Sequence, residues 1–167
     1  GGRAFDFASQ STTRLLLDLV TIPTGESDTD VAIRRELAER LLPSALVGAD
    51  ALAVHRLLRR LNAARALAAE EAGDEAAVIP LTVADLVDDP DTWRPTLEKG
   101  AEAPGRRGWN DRALARVLTK AARMWELARQ RDTRPQERLW ELWEACGVAE
   151  DWRSRAIRSD EASAWFD

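Results

Sequence analysis

The chain has 167 residues, 45% of them hydrophobic, and a net charge of -5; that is enough for one domain with its own core, and too acidic for an indiscriminate polyanion binder. Its apolar runs are a few residues long, far short of the roughly 20 that span a bilayer, and no charged-then-apolar leader opens it, so neither membrane insertion nor export is expected. With one cysteine, Cys146, an internal disulfide and a cysteine zinc cluster are excluded, which fits a reducing cytoplasm.

Ala, Leu, Arg and Glu dominate and β-branched runs are scarce. The expected fold is all-α, a single domain over 1–167 built as an irregular bundle of about six to seven helices. A first helix is predicted over 11–20, burying Leu15, Leu16 and Leu19 and ended by Pro23-Thr24-Gly25. A second, capped by Ser27 or Asp28, aligns Ile33, Leu37 and Leu41 on one face and stops at Pro43. The third runs from Ala51 toward Glu70 with Val54, Leu57, Leu58, Leu61, Ala64 and Ala68 inward and Gly73 just past its end.

Between Gly73 and Gly108 the chain is rich in Pro, Gly and acids, and one short helix is predicted there, capped by Thr82 and containing Val83, Leu86 and Val87; the rest reads as surface loop. A fifth helix, capped by Asn110, buries Leu114, Val117, Leu118, Ala121, Trp125 and Ala128, and its opposite side carries Arg112, Arg116, Lys120 and Arg123. The sixth starts with a capping box from Thr133 to Gln136, buries Leu139, Leu142, Trp143 and Cys146, and ends at Gly147. A last short helix is expected to carry Trp152, with Trp165 and Phe166 near the C-terminus.

The stretch Pro43-Ser44-Ala45-Leu46-Val47-Gly48-Ala49-Asp50 joins helices two and three and reads as a helix-hairpin-helix-like turn. Gly48 allows a tight turn, Asp50 is a good N-cap, and the amides from Val47 through Ala51 are expected to face outward toward an anion. Arg56, Arg59 and Arg60 follow within the next turns, with His55 beside them. Such a module binds a phosphate backbone without reading bases.

Charge is segregated along the sequence. Residues 31–69 carry seven Arg against three acids, and 105–134 carry eight Arg and one Lys against three, whereas 70–102 hold ten acids against two bases. Two basic islands in an acidic chain can hold phosphates locally; they can equally be solvated helix faces. The stripe Arg112, Arg116, Lys120 and Arg123 is a second candidate contact, with DNA or with an acidic protein surface.

No catalytic constellation is visible. There is no Gly-rich P-loop with its Lys-Ser/Thr, His55 lacks a partner at ligand spacing, Cys146 lies on an apolar stripe, and the acids of 70–102 lack the spacing of a calcium loop. No cofactor or metal is expected in the chain itself. Of seven tryptophans, Trp143 reads as core, Trp140 lies toward its edge, and Trp109, after Gly105-Arg106-Arg107-Gly108, is the best candidate for an exposed contact.

Three stretches carry a resemblance. Gly1-Gly2-Arg3-Ala4-Phe5-Asp6-Phe7 followed by Thr13-Arg14-Leu15-Leu16-Leu17-Asp18-Leu19 resembles the entry into the 2B subdomain of UvrD, PcrA and Rep-type superfamily-one DNA helicases. Leu41-Leu42-Pro43 through Gly48-Ala49-Asp50 with Leu57-Leu58-Arg59-Arg60-Leu61, and Leu139-Trp140-Glu141-Leu142-Trp143 through Gly147-Val148 and Trp152, are similar to actinobacterial UvrD/RecB-like helicase-nucleases of the AdnA type. The resemblance implies a helical accessory subdomain excised from an ATP-dependent motor, with ATP, Mg and any nuclease belonging to the parent. Its implied partners are the duplex DNA backbone, the motor domains in cis and a partner helicase-nuclease subunit. The family's Gly-Ile-Gly duplex hairpin falls on Leu46, Val47 and Gly48, so its first glycine is replaced here. The competing reading is a protein-protein interaction domain that does not touch DNA.

Overall fold

A computed structural model describes the backbone of residues 2–147 and the side chains of residues 10–147 other than residue 77. Within that range the fold is all-helical: α1 (Gly2–Val20), α2 (Asp28–Leu41), α3 (Ala51–Ala72), α4 (Val83–Asp88), α5 (Arg94–Ala101), α6 (Arg106–Arg129) and α7 (Pro135–Ala145), with short 3-10 turns at Glu75–Ala77 and Pro90–Thr92. The helix predicted around Trp152, together with Trp165 and Phe166, lies outside the described residues.

The longest helix, α6, is the spine of the bundle. Leu118, Ala121, Met124, Trp125 and Ala128 are all essentially inaccessible to solvent, and α6 packs against α5, α4, α7 and α1. Burial of side chains of this size is worth roughly 1.5–3 kcal/mol for each large one, so Leu118, Met124 and Trp125 make α6 a large contributor to the core. α2 lies across α1 and α4, contributing Leu37, Ala38 and Leu41.

Each fully buried indole in this core has its polar atom satisfied, as low-dielectric burial demands. Trp93 Nε1 donates to Leu86 O at 2.8 Å. Trp125 Nε1 donates to Asp88 Oδ1 at 2.5 Å, and the same oxygen accepts from Arg129 Nη1 at 2.7 Å. These bonds fix the α4 end and the following turn onto α6.

A second set of arginines closes the other end. Arg131 and Arg138, from the α6–α7 connection and α7, donate to Ile22 O and Val20 O at the C-terminus of α1. They thereby satisfy carbonyls that the helix end leaves without intrahelical donors. Burial, then the positive charges of Arg138 and Arg129, hold the Arg131 guanidinium below arginine's ordinary value. Buried Arg34 serves the α1–α2 connection in the same way, donating to Pro23 O at 2.9 Å and Gly25 O at 2.6 Å.

Several expectations are corrected. α1 begins at Gly2, nine residues before the predicted start at Ser11. Ile33 is 41% exposed, because α2 turns buried Arg34 rather than Ile33 toward the α1–α2 loop. Ala64 and Ala68 are exposed, since among the described residues the principal neighbour of α3 beyond Leu61 is the 74–81 connection and not another helix. Asn62 secures that connection by exchanging two hydrogen bonds with Leu81 (3.2 and 2.7 Å). The stretch 73–108 is not mainly loop: α5 forms in it, with proline in its first turn and Leu97 fully buried. α6 starts at Arg106 instead of Asn110. At α7, Arg134 occupies the N-cap without a side-chain cap bond, so the Thr133 capping box does not form and Thr133 Oγ1 is buried without a partner.

Candidate functional site

The loop between α2 and α3 folds back on the core. Leu46 is fully buried and Val47 and Ala49 nearly so, which makes the hairpin's inner side a plug in the hydrophobic cluster. Gly48 takes φ +75° at the exposed tip, the left-handed conformation that side chains resist. Its amide donates to Ser44 O at 2.7 Å, that of Val47 to the same oxygen at 3.1 Å, and that of Ala49 to Leu42 O at 2.8 Å. The expected row of outward amides is therefore corrected: Val47, Gly48 and Ala49 spend theirs on the turn itself. The Asp50 side chain caps α3 by accepting from Leu52 N at 3.1 Å, so among the described residues only the amides of Asp50, Ala51 and Ala53 at this helix start lack a protein acceptor.

What the fold builds beside this turn is larger than the turn. The start of α3 and the start of α6 open on one cleft of about 560 Å³. Arg56 and Arg60 reach it from α3, Arg106 and Arg107 from α6, and Trp109 stands at its edge, 64% exposed. Leu57, Leu114 and Val117 give it an apolar floor. Two carboxylates also line it: Asp50, engaged as a cap, and buried Asp111, whose Oδ1 lies 3.5 Å from Arg60 Nη1. Among the described residues the guanidinium groups of Arg56, Arg106 and Arg107 have neither an ion pair nor a hydrogen bond.

The meeting of α3 with α6 depends on how tightly α6 leaves α5. At Gly108 a methyl group would collide with the Ala103 carbonyl and press on that of Ala101, so only glycine lets the first turn of α6 lie against the α5 exit. The α6 N-terminus carries two arginines, no acid and no capping side chain. Both helix starts present the positive ends of their dipoles here, adding to the guanidinium charge in attracting an anion.

The candidate residues read from sequence divide between this cleft and elsewhere. Gly48, Asp50, Arg56 and Arg60 line it, whereas His55 and Arg59 are exposed on α3 outside it. Trp109 is exposed, as expected, but sits on the first turn of α6 rather than in a loop. The α6 stripe does not act as a unit. Arg112 Nη1 donates to Ala101 O at 2.7 Å and finishes α5, while Arg116, Lys120 and Arg123 face a second cleft shared with Trp140, Glu141 and Glu144 of α7. There Arg123 already pairs with Glu126 at 3.5 Å, so this second cleft is of mixed sign.

Arg106 and Arg107 are the site residues that sequence reasoning passed over. Their signal was present, two adjacent arginines inside the second basic island, but placing the helix start at Asn110 left them in a loop with no partner surface.

Among the described residues no three His, Cys, Asp or Glu side chains converge as metal ligands, and no helix is long and apolar enough to cross a membrane. Comparison of the chain with family models, with curated proteins and with solved structures finds no match in any of the three.

Proposed function

We propose that the α3–α6 cleft holds the phosphate backbone of duplex DNA without reading its sequence, and that the chain is an accessory helical subdomain of an ATP-dependent DNA helicase. ATP, Mg and the hydrolysis step belong to the parent motor, whose domains are the partners in cis. The observation that carries the DNA reading is the convergence of the two basic islands: arginines some fifty residues apart in sequence, Arg56 and Arg60 against Arg106 and Arg107, line one cleft, and three of the four have no protein counter-charge among the described residues. Unpaired guanidinium groups held by rigid helices suit phosphate oxygens, which they can meet with two parallel hydrogen bonds. The helicase assignment rests on the resemblance of residues 1–19, 41–61 and 139–152.

The buried Leu46 and the internally bonded amides take the hairpin itself out of the grip and leave the arginines to supply it. The same observation favours a competing reading, in which an acidic protein surface seats on those arginines. Titration of labelled duplexes of unrelated sequence separates the two. Equal affinities that fall with salt, and that drop by more than about tenfold in Arg56→Glu with Arg107→Glu, support DNA. An affinity unchanged in that variant removes the site, and absence of duplex binding at low salt transfers the cleft to the protein reading.

A further inference from the structure

Trp109 is exposed in a molecule that buries comparable indoles completely: Trp93 and Trp125 are each 1% accessible, Trp109 64%. An indole in water forgoes a large hydrophobic gain, and among the described residues no hydrogen bond or cation–π contact engages this ring. No guanidinium lies over it; the one cation–π contact among the described residues is Arg94 over Trp93, at 5.8 Å. Its neighbours at the cleft are the unpaired Arg106 and Arg107 and, across the apolar floor, Arg56. The other strongly exposed tryptophan among the described residues, Trp140 at 59%, sits instead beside Glu141 and Glu144, where a polyanion is repelled as well as attracted.

An exposed indole that lines the same cleft as three guanidinium groups offers two kinds of contact, stacking for a planar ring and charge for a phosphate. A paired base presents only its edge to a groove, so the ring of Trp109 cannot stack on it. An unpaired base presents its face, and stacking on an aromatic residue is indifferent to which base it is. The cleft, about 560 Å³ with an apolar floor, falls within the size range of sites that enclose one small ligand.

Resting on the phosphate-binding reading above, we propose that Trp109 is a stacking platform for an unpaired nucleobase, so that the cleft's preferred ligand is nucleic acid with an extrahelical or single-stranded nucleotide beside the contacted phosphates. The arginines supply the charge, and Trp109 supplies the discrimination between paired and unpaired positions.

The test uses two labelled duplexes that differ in one group: one carries a single bulged adenosine, the other an abasic site at the same position. Their charge and length match, and only the base is removed. The intact protein should bind the bulged adenosine about tenfold more tightly than the abasic probe, the gain of one stacked base. Trp109→Ala should bring the ratio to one while leaving the salt dependence intact, and Trp109→Phe should keep much of it. Since Trp109 packs into no core, both variants should fold. A ratio of one in the unmodified protein, with salt-sensitive binding of both probes, overturns the stacking role alone; so does a ratio that survives Trp109→Ala. Failure to bind either probe at low salt overturns both this inference and the phosphate reading beneath it.

Discussion

Neutralising Arg107 tests the cleft quantitatively. Arg56, Arg106 and Arg107 are the cleft guanidinium groups without a protein partner among the described residues, whereas Arg60 already faces Asp111 at 3.5 Å. Each phosphate neutralised on B-form DNA contributes about 0.9 to the slope of log affinity against log salt. Three contacts give a slope of about -2.7, so affinity should fall about 40-fold between about 50 mM and about 200 mM salt. Arg107→Gln removes one contact, leaving a slope of about -1.8 and a fall of about 12-fold over the same interval. The measurement is fluorescence anisotropy of a labelled duplex across a salt series, with Arg35→Gln, on the exposed side of α2, as the control. A slope unchanged by Arg107→Gln, or lowered as much by Arg35→Gln, refutes the assignment of phosphate contacts to this cleft.

Other substitutions probe the surrounding structure. Gly48→Ala places a side chain at φ +75° with open space around it, so it should cost about 1 kcal/mol of stability through the backbone alone and leave duplex affinity as it is; a large loss of affinity would restore the hairpin tip as the phosphate contact. Asp111→Asn removes the one cleft carboxylate not engaged in capping and releases Arg60. Duplex binding should tighten by about 1 kcal/mol, near fivefold, and a weakening seen in the same titration would mean that Asp111 positions Arg60 for its contact. Leu118→Ala empties a fully buried position on α6 and should cost about 2–5 kcal/mol, read as a lower urea midpoint at constant slope. A loss below 1 kcal/mol would show that α6 is not the spine of the core.

The sequence carried the helical periods well where a regular apolar stripe enters the common core. Leu15, Leu16 and Leu19 of α1, Val54, Leu57 and Leu61 of α3, and Leu114, Leu118, Trp125 and Ala128 of α6 are all buried as the spacing implies. It failed where stability comes from elsewhere than a stripe. α5 is eight residues long, too short for its pattern to rise above its prolines and charges, and it stands because Leu97 and Trp93 are buried with the core. Ala64 and Ala68 follow the right period, yet periodicity cannot say that a helix outruns its partners. The candidate site was legible as two basic islands and an odd tryptophan. What joined them, the close passage at Gly108 that brings the start of α6 beside α3, is a tertiary fact with no one-dimensional signature.

The guanidinium groups that finish α1 come from very late in the chain: Arg131 reaches Ile22 across 109 positions and Arg138 reaches Val20 across 118. During synthesis the carbonyls of Val20 and Ile22 therefore wait, answered only by water, while those of Leu17, Asp18 and Leu19 already accept from Thr21 and Ile22. Contacts of such separation slow folding, because loop-closure entropy is lost before they form. They also tie α1 to α7 and to the connection before it, so the described helices should mature in one late, cooperative event instead of one by one on the ribosome.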